Sequence, residues 1–253
     1  MSEQPAIRVH NLTFAYPSGP RALDQVSFEA AGGESIGLVG PNGAGKTTLF
    51  LCLSGVLPIE KGRVLLAGLD PADPAQRRAL PAKTGIVFQN SEDQLFHATV
   101  FDDVAFGPLN LGCRPPEVKQ RVAEALARVG LTGFEQRVPF HLSGGEQRRV
   151  ALAGVLALRP EILLLDEPSL CLDPRGRREL IQLVNSLAVT KVIAAHDLEL
   201  IRETCQRVLV LDGGRIVGDG LTRTILADAR LMEKHGLEVP HSLTHHLDKH
   251  HGE

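Results

Sequence analysis

Short apolar runs that end abruptly recur along this chain, and their order predicts its architecture. Residues 6–14 and 26–30 alternate loosely between apolar and polar positions on either side of a Pro17-Ser18-Gly19-Pro20 turn, which predicts two early antiparallel strands. The run Ser35–Val39 stops at Gly40, then a glycine-rich loop leads into Lys46-Thr47-Thr48-Leu49-Phe50-Leu51. That order is strand, loop, helix. Residues 84–88, 162–165, 191–195 and 207–211 are further apolar runs of buried-strand length, and helical patterns separate the last three, as parallel α/β units require. Between 91 and 155 the pattern turns mostly helical. Its clearest piece is 117–129, where Val118, Val122, Ala125, Leu126 and Val129 share one face, and prolines at 108, 115, 116 and 139 punctuate the region. A helical subdomain over 91–155, inserted into an α/β core, is the expected arrangement.

Composition narrows the class. The 253 residues are 43% apolar with a formal net charge of −3, so a well-formed core is expected and no basic field argues for nucleic acid. One Tyr and no Trp leave few platforms for base stacking. Cys52, Cys113, Cys171 and Cys205 lie far apart, which fits reduced thiols better than a disulfide frame or a zinc site. The start Met1-Ser2-Glu3-Gln4-Pro5 lacks the order of a signal peptide, and no apolar run approaches the ~20 residues that cross a bilayer. A soluble cytosolic chain is expected, with any membrane part supplied by another protein. After residue 235 the character changes: His235, His241, His245, His246, His250 and His251 are six of the ten histidines.

Four patches carry chemistry. Gly40-Pro41-Asn42-Gly43-Ala44-Gly45-Lys46-Thr47 fits a phosphate-cradling P-loop at every fixed position. The glycines let N–H groups turn toward phosphate oxygens, Lys46 can reach the terminal phosphates, and Thr47 offers a hydroxyl to Mg²⁺. A plain glycine-rich turn before a helix is the other reading. The strand before the loop and the helix after it favour the first. Ile162-Leu163-Leu164-Leu165-Asp166-Glu167-Pro168 is a buried strand ending in two acids: Asp166 suits Mg²⁺, and Glu167 is placed to polarise an attacking water. Alone, the pair could be solvated acids at a strand end. His196 and Gln89 also follow apolar runs, at the strand edge where ligands of α/β sheets gather, though either could be a satisfied loop residue. Ser143 and Glu146 have capping-box spacing and fix a helix start at Leu142-Ser143-Gly144-Gly145-Glu146-Gln147, whose free N–H groups can hold an anion.

Taken in order, the P-loop, Gln89, residues 142–147, Asp166-Glu167 and His196 resemble the ATP-binding-cassette (ABC) ATPases over residues 6–228. The resemblance implies an α/β P-loop NTPase (RecA-like) core with an antiparallel β subdomain and the inserted helical subdomain. It implies a nucleotide-binding domain over 1–228 and a C-terminal extension over 229–253 that carries the His-rich tail. It further implies ATP hydrolysis with Mg²⁺ held by Thr47, Gln89 and Asp166. Glu167, His196, Gln89 and Lys46 would act catalytically. Gly40 to Thr48 would hold the phosphates and Tyr16 would stack on adenine. Ser143, Gly144, Gly145 and Glu146 of a second, head-to-tail subunit would close over the same ATP, with Asp173 reaching across. Ser169-Leu170-Cys171-Leu172-Asp173 departs from the family at Leu170 and Cys171, which are bulkier than usual where subunits should touch.

Long coiled coils between motifs and a second cassette copy are both absent, which sets aside chromosome-maintenance and translation-factor cassettes. A transporter ATPase with separate integral membrane subunits, peripheral on the cytoplasmic face, is expected. A soluble ABC module acting without a membrane partner is the competing class. Residues 87–96, 100–108 and 231–240 look like the energy-coupling-factor importers, which take up vitamins, cobalt or nickel. Imidazole suits Ni²⁺ and Co²⁺, so the tail favours cobalt or nickel over a vitamin. A homodimer is the simpler assembly, since one chain holds every catalytic element.

Overall fold

The computed structural model describes residues 4–17, 19–170 and 172–244; the sequence features at Cys171, His245, His246, His250 and His251 lie outside the described residues. Two sheets form. The first is antiparallel, in the order β2 (Arg21–Ala30), β1 (Ile7–Ala15), β4 (Lys61–Leu66). The second strings β5 (Thr84–Val87), β6 (Ile162–Asp166), β7 (Thr190–Ala194), β3 (Ser35–Val39), β8 (Arg207–Asp212) and β9 (Arg215–Leu221) side by side. All of its neighbours are parallel except β9, which returns antiparallel to β8.

The unbroken apolar runs of the second sheet reflect burial on both faces. Ile36, Leu38, Ile162, Leu164, Val192, Ala194, Leu209 and Leu211 pack on one side with α1 (Lys46–Leu53) and the antiparallel sheet. The alternate residues Val39, Leu163, Leu165, Ile193, Val208 and Val210 face the opposite layer. A period of two thus feeds two cores from the same strands. The short α2 (Pro74–Arg77) precedes β5. Beyond β5 come α3 (Val100–Asn110), α4 (Pro115–Arg128) and α5 (Gly144–Leu156), which pack on one another through Val104, Val118, Val122, Leu126, Val150 and Ala153. The expected 117–129 helix starts two residues earlier, on Pro115, because a proline at the first helical position forfeits a donor that has no partner there anyway. Pro108 sits inside α3, in its last turn.

α6 (Pro174–Ser186) and α7 (Leu198–Thr204) alternate with β6, β7 and β8 as expected. Two strands went beyond the sequence pattern. β4 opens on the exposed Lys61-Gly62-Arg63 and is apolar only over Val64-Leu65-Leu66, and β9 alternates only between exposed and half-buried positions, so neither shows a full-length apolar run. The second strand begins at Arg21 rather than 26. Its polar Asp24 is buried there by pairing with Arg21 and Arg215, and Gln25 adopts φ 57, which breaks the alternation. The chain continues through α8 (Thr222–Ala227), α9 (Ala229–Lys234) and α10 (His241–Thr244). Met232 and Leu237 are buried in the helical-side core, and the Ser242 N–H and hydroxyl donate to the Glu199 carboxylate at 3.0 and 2.7 Å. His235, grouped above with the tail histidines, belongs to the fold: its Nδ1 lies 2.7 Å from Asp212 Oδ2 and its side chain is largely covered. Among the described residues no helix is long and apolar enough to cross a membrane.

Candidate active site

Sheet order brings the chemistry together. β5, β6, β7 and β3 are consecutive parallel neighbours, so Gln89, Asp166-Glu167, His196 and the Gly40 loop all leave one edge of the sheet. The loop from β3 to α1 folds on itself only with glycine at its ends. A Cβ on Gly40 would run into the Leu211 carbonyl oxygen. One on Gly45, at φ 107, would lie 2.5 Å from the Ala22 carbonyl oxygen. Gly45 is also the N-cap of α1, where free N–H groups and the helix dipole favour an anion.

Lys46 is 8% exposed, and its ammonium donates to the carbonyls of Gly40 (2.7 Å) and Pro41 (3.1 Å). Burial lowers its pKa, while the nearby carboxylates of Glu167 and Asp166 oppose that shift. Thr47 donates its hydroxyl to Asp166 Oδ2 at 2.7 Å. Asp166 is almost fully buried, which raises its pKa against the pull of Thr47, Lys46 and His196. Next to it, Glu167 holds φ 48, a left-handed conformation costly for a side chain of this size. Its N–H donates to Ala194 O at 2.8 Å, which pins that strained residue to the end of β7. Oε2 of Glu167 accepts from the His196 N–H at 3.1 Å. Oε1 is buried with no hydrogen-bond partner among the described residues and faces His196 Nε2 at 3.6 Å. Burial likewise raises the pKa of Glu167. His196 Nε2 lies 3.4 Å from Lys46 Nζ, which closes the ring of groups.

Tyr16 is 44% exposed, stands edge-on to Phe14 at 5.0 Å and brings its hydroxyl within 3.3 Å of Thr48 Oγ1. Pro41, Asn42, Gly43 and Ala44 complete the loop, with Ala44 N–H bonded to Pro41 O at 3.2 Å. The capping box at α5 is present in full. Ser143 N–H and Oγ donate to Glu146 Oε2 at 2.8 and 2.7 Å, and Glu146 N–H returns to Ser143 Oγ at 3.3 Å. The Ser143 hydroxyl and N–H lower the Glu146 pKa. Ser143, Gly144 and Gly145 line a cleft of about 900 Å³ with Leu172 and Asp173, and none of residues 40–48 lines it. Asp173 caps α6 through Gly176 N–H at 2.7 Å, and Leu170 is 41% exposed beside it. The chain therefore holds the phosphate loop and the Ser143 helix start as two separate surfaces.

One residue escaped the motif reading. Arg148 is buried and donates to the carbonyls of Gln89 (2.7 Å), Pro168 (3.1 Å), Glu167 (3.3 Å) and Leu170. It shares a face of α5 with Leu152 and Val155, and a charged residue on an otherwise apolar stripe was the signal available in the sequence. The donor set suits Mg²⁺ as well. Thr47 hydroxyl and Asp166 carboxylate are hard oxygen ligands, and the unpartnered Glu167 Oε1 leaves a buried acceptor beside them.

A profile of the ABC transporter family matches residues 23–170. The chain belongs to that family. It is 50% identical over 236 residues to a putative ABC transporter ATP-binding protein of Streptomyces avermitilis, covering 93% of this chain and 90% of that one. It is 44% identical over 239 residues to the energy-coupling factor transporter ATP-binding protein EcfA of Methanothermobacter thermautotrophicus, covering 92% of this chain and 76% of that one. Among solved structures it is similar to cbiO1 from Clostridium perfringens, described as part of the ABC transporter complex cbiONQ. The TM-score is 0.82 at 33% identity, covering 98% of this chain and all of that one. The ATP-binding cassette MJ0796, solved as a dimer in a post-hydrolysis state bound to ADP and Pi, matches with a TM-score of 0.78 at 26% identity, covering 85% of this chain and 98% of that one. The fold is that of the P-loop ABC ATPases, and the chain is an ABC ATPase whose hydrolysis of ATP serves transport.

Proposed function

We propose that this ABC ATPase powers an energy-coupling-factor importer for cobalt or nickel, as a head-to-tail homodimer bound to separate integral membrane subunits on the cytoplasmic face. The observation that carries the hydrolytic part is Glu167: a buried carboxylate with one free oxygen, set among Lys46, Asp166 and His196. In this reading the P-loop N–H groups and Lys46 hold the β- and γ-phosphates, and Tyr16, beside Thr48, stacks on adenine. Thr47, Asp166 and Gln89 would hold Mg²⁺, which when bound offsets phosphate charge and orients the γ-phosphate. Glu167 Oε1 takes a proton from water as the water oxygen bonds to the γ-phosphorus. The bond from that phosphorus to the β-phosphate oxygen breaks, leaving ADP and phosphate. His196 holds the γ-phosphate and keeps Glu167 aligned through the contact already present at its N–H.

The separation of the Ser143-Gly144-Gly145 surface from the P-loop supports a site shared between two chains, with Ser143 and the glycine N–H groups of the partner chain closing on the γ-phosphate and Glu146 keeping that helix start in shape. Asp173 stands at the same cleft, placed to meet the partner chain. The dimeric MJ0796 cassette and the cbiO1 protein of a multi-subunit complex lend weight to both the dimer and the membrane partners. An exposed aromatic patch supports a partner surface there: Phe96 and Phe106 are 58% and 44% exposed, with ring centroids 5.1 Å apart. It adjoins the loop that carries Gln89, which suits a sensor reporting to a membrane subunit.

The metal part rests on resemblance to the energy-coupling-factor importers and on the histidines near the C-terminus. Co-expression with the membrane proteins encoded nearby, followed by reconstitution in vesicles with internal ATP, tests it. ATP-dependent accumulation of radiolabelled Co²⁺ or Ni²⁺ is expected. Accumulation of a vitamin instead would move the substrate, and failure of any membrane protein to co-purify would favour a soluble ABC module.

A further inference from the structure

We propose that Arg148 is a positioning residue that locks the Gln89 loop to the loop carrying Glu167, so that the sensor and the base move as one unit. The proposal rests on the roles given above to Gln89 and Glu167. Its basis is geometric. A single guanidinium from α5 reaches the carbonyl of Gln89 at one end and those of Glu167, Pro168 and Leu170 at the other. The two loops follow β5 and β6, which pair in parallel, and neither Gln89 nor Glu167 lies in a helix or strand. Glu167 sits at φ 48, so its carboxylate direction depends on what holds the following backbone in place. Arg148 is 9% exposed and its side chain enters between both loops from the helix that starts at Ser143. The same residue thus ties together three segments: the sensor loop, the segment after the base, and the helix that presents the Ser143 surface to a second chain.

The chemistry demands Arg in particular. A planar fork with five donors can satisfy carbonyls on two diverging loops, whereas a lysine ammonium offers three donors from one point and cannot span them. A neutral straight chain such as Met fills similar volume and leaves every carbonyl without its charged donor.

Arg148→Lys and Arg148→Met, in the full chain, are compared with wild type by ATPase kinetics and thermal unfolding, and each is also combined with Gln89→Ala. Arg148→Lys is expected to lower kcat on the order of tenfold while KM for ATP stays within about twofold, because an interaction that aligns the base acts on the chemical step rather than on binding. In the Gln89→Ala background the same substitution is expected to cost clearly less, since part of what Arg148 aligns is already gone. Wild-type kcat in Arg148→Lys, or losses that multiply in full with Gln89→Ala, would overturn the proposal. So would a kcat loss matched by a raised KM and by the same fall in activity wherever Tm falls. If Arg148→Met does not fold, Arg148→Lys carries the test. Glu167→Gln, run alongside, separates the two readings. Its retained turnover would remove the base assignment itself, whereas its loss of turnover beside an unaffected Arg148→Lys would remove only the coupling.

Discussion

Replacing Glu167 with Gln separates what the carboxylate does in catalysis from what it costs the fold. The amide is nearly isosteric, and its oxygen can still accept from the His196 N–H that now bonds Oε2 at 3.1 Å. What disappears is the proton acceptor at Oε1, the buried atom with no partner among the described residues. A positioned general base contributes about 10²–10⁴ in rate, so turnover should fall by that factor, about 3–5 kcal/mol in the barrier, with ATP binding intact. Stability should move the other way. Burial raises the Glu167 pKa above its ordinary 4.5, so the carboxylate sits charged in a place that disfavours charge. The stability supplied by protonation is complete below pH 4.5 and vanishes as pH rises through the folded-state value. Gln has no such loss, so Glu167→Gln should melt at or above the wild-type temperature at pH 7–8, and the advantage should shrink toward pH 4.5. Single-turnover ATPase assays, fluorescent ATP binding and scanning calorimetry across pH read all three quantities. Undiminished turnover at matched protein concentration would refute the base role. A clear drop in melting temperature at pH 8 would refute the assigned burial cost.

Three further outcomes follow from particular contacts. Asp103→Ala removes acceptors for the Phe96 and His97 N–H groups, both at 3.0 Å, and for the His97 ring at 2.9 Å; about 3 kcal/mol of stability should be lost, seen as a lower urea midpoint with an unchanged slope. Gly45→Ala forces a Cβ to 2.5 Å from the Ala22 carbonyl at φ 107, so nucleotide affinity should fall more than for Gly43→Ala, which carries the backbone strain of φ 77 but whose Cβ meets nothing within 4 Å; equal affinities in a binding titration would contradict the loop geometry. Deleting residues 241–253 should lower the Ni²⁺ or Co²⁺ affinity of the isolated chain while His235 stays paired with Asp212; identical calorimetric titrations before and after deletion would remove the tail from metal binding.

The strand-end chemistry was readable because the second sheet is buried on both faces. Continuous apolar runs such as Ile162 to Leu165 mark such strands, and the first polar residue after each one falls at the ligand-bearing edge. That rule singled out Asp166-Glu167, His196 and Gln89 as candidates, and the P-loop context and the family resemblance supplied their expected roles. The capping box was equally legible, since Ser143 and Glu146 need only their spacing. Long-range pairing was not legible. Asp24 is buried by arginines 21 and 215, Arg148 by carbonyls from two distant loops, and His235 by Asp212. In each case a polar residue looks solvent-bound in sequence and becomes structural only when the fold supplies its partner. The strands β4 and β9 escaped for a related reason. β4 is apolar and covered only in its last three residues and β9 is at best half covered, so sheet hydrogen bonding rather than a full apolar run defines them.

The central claim is that one ATP is hydrolysed between the P-loop of one chain and the Ser143 surface of another. Mixing two variants tests it directly: Lys46→Ala, which disables the phosphate loop, and Ser143→Arg, which blocks the opposing surface. Each should be inactive alone, because both sites of its homodimer carry the defect. In the mixed dimer, one site combines the intact loop of the second variant with the intact Ser143 of the first. Turnover should therefore reappear on mixing and follow the abundance of the mixed species. Silence of the mixture under conditions where the mixed dimer is shown to form, or full activity of Ser143→Arg by itself, would contradict a shared site.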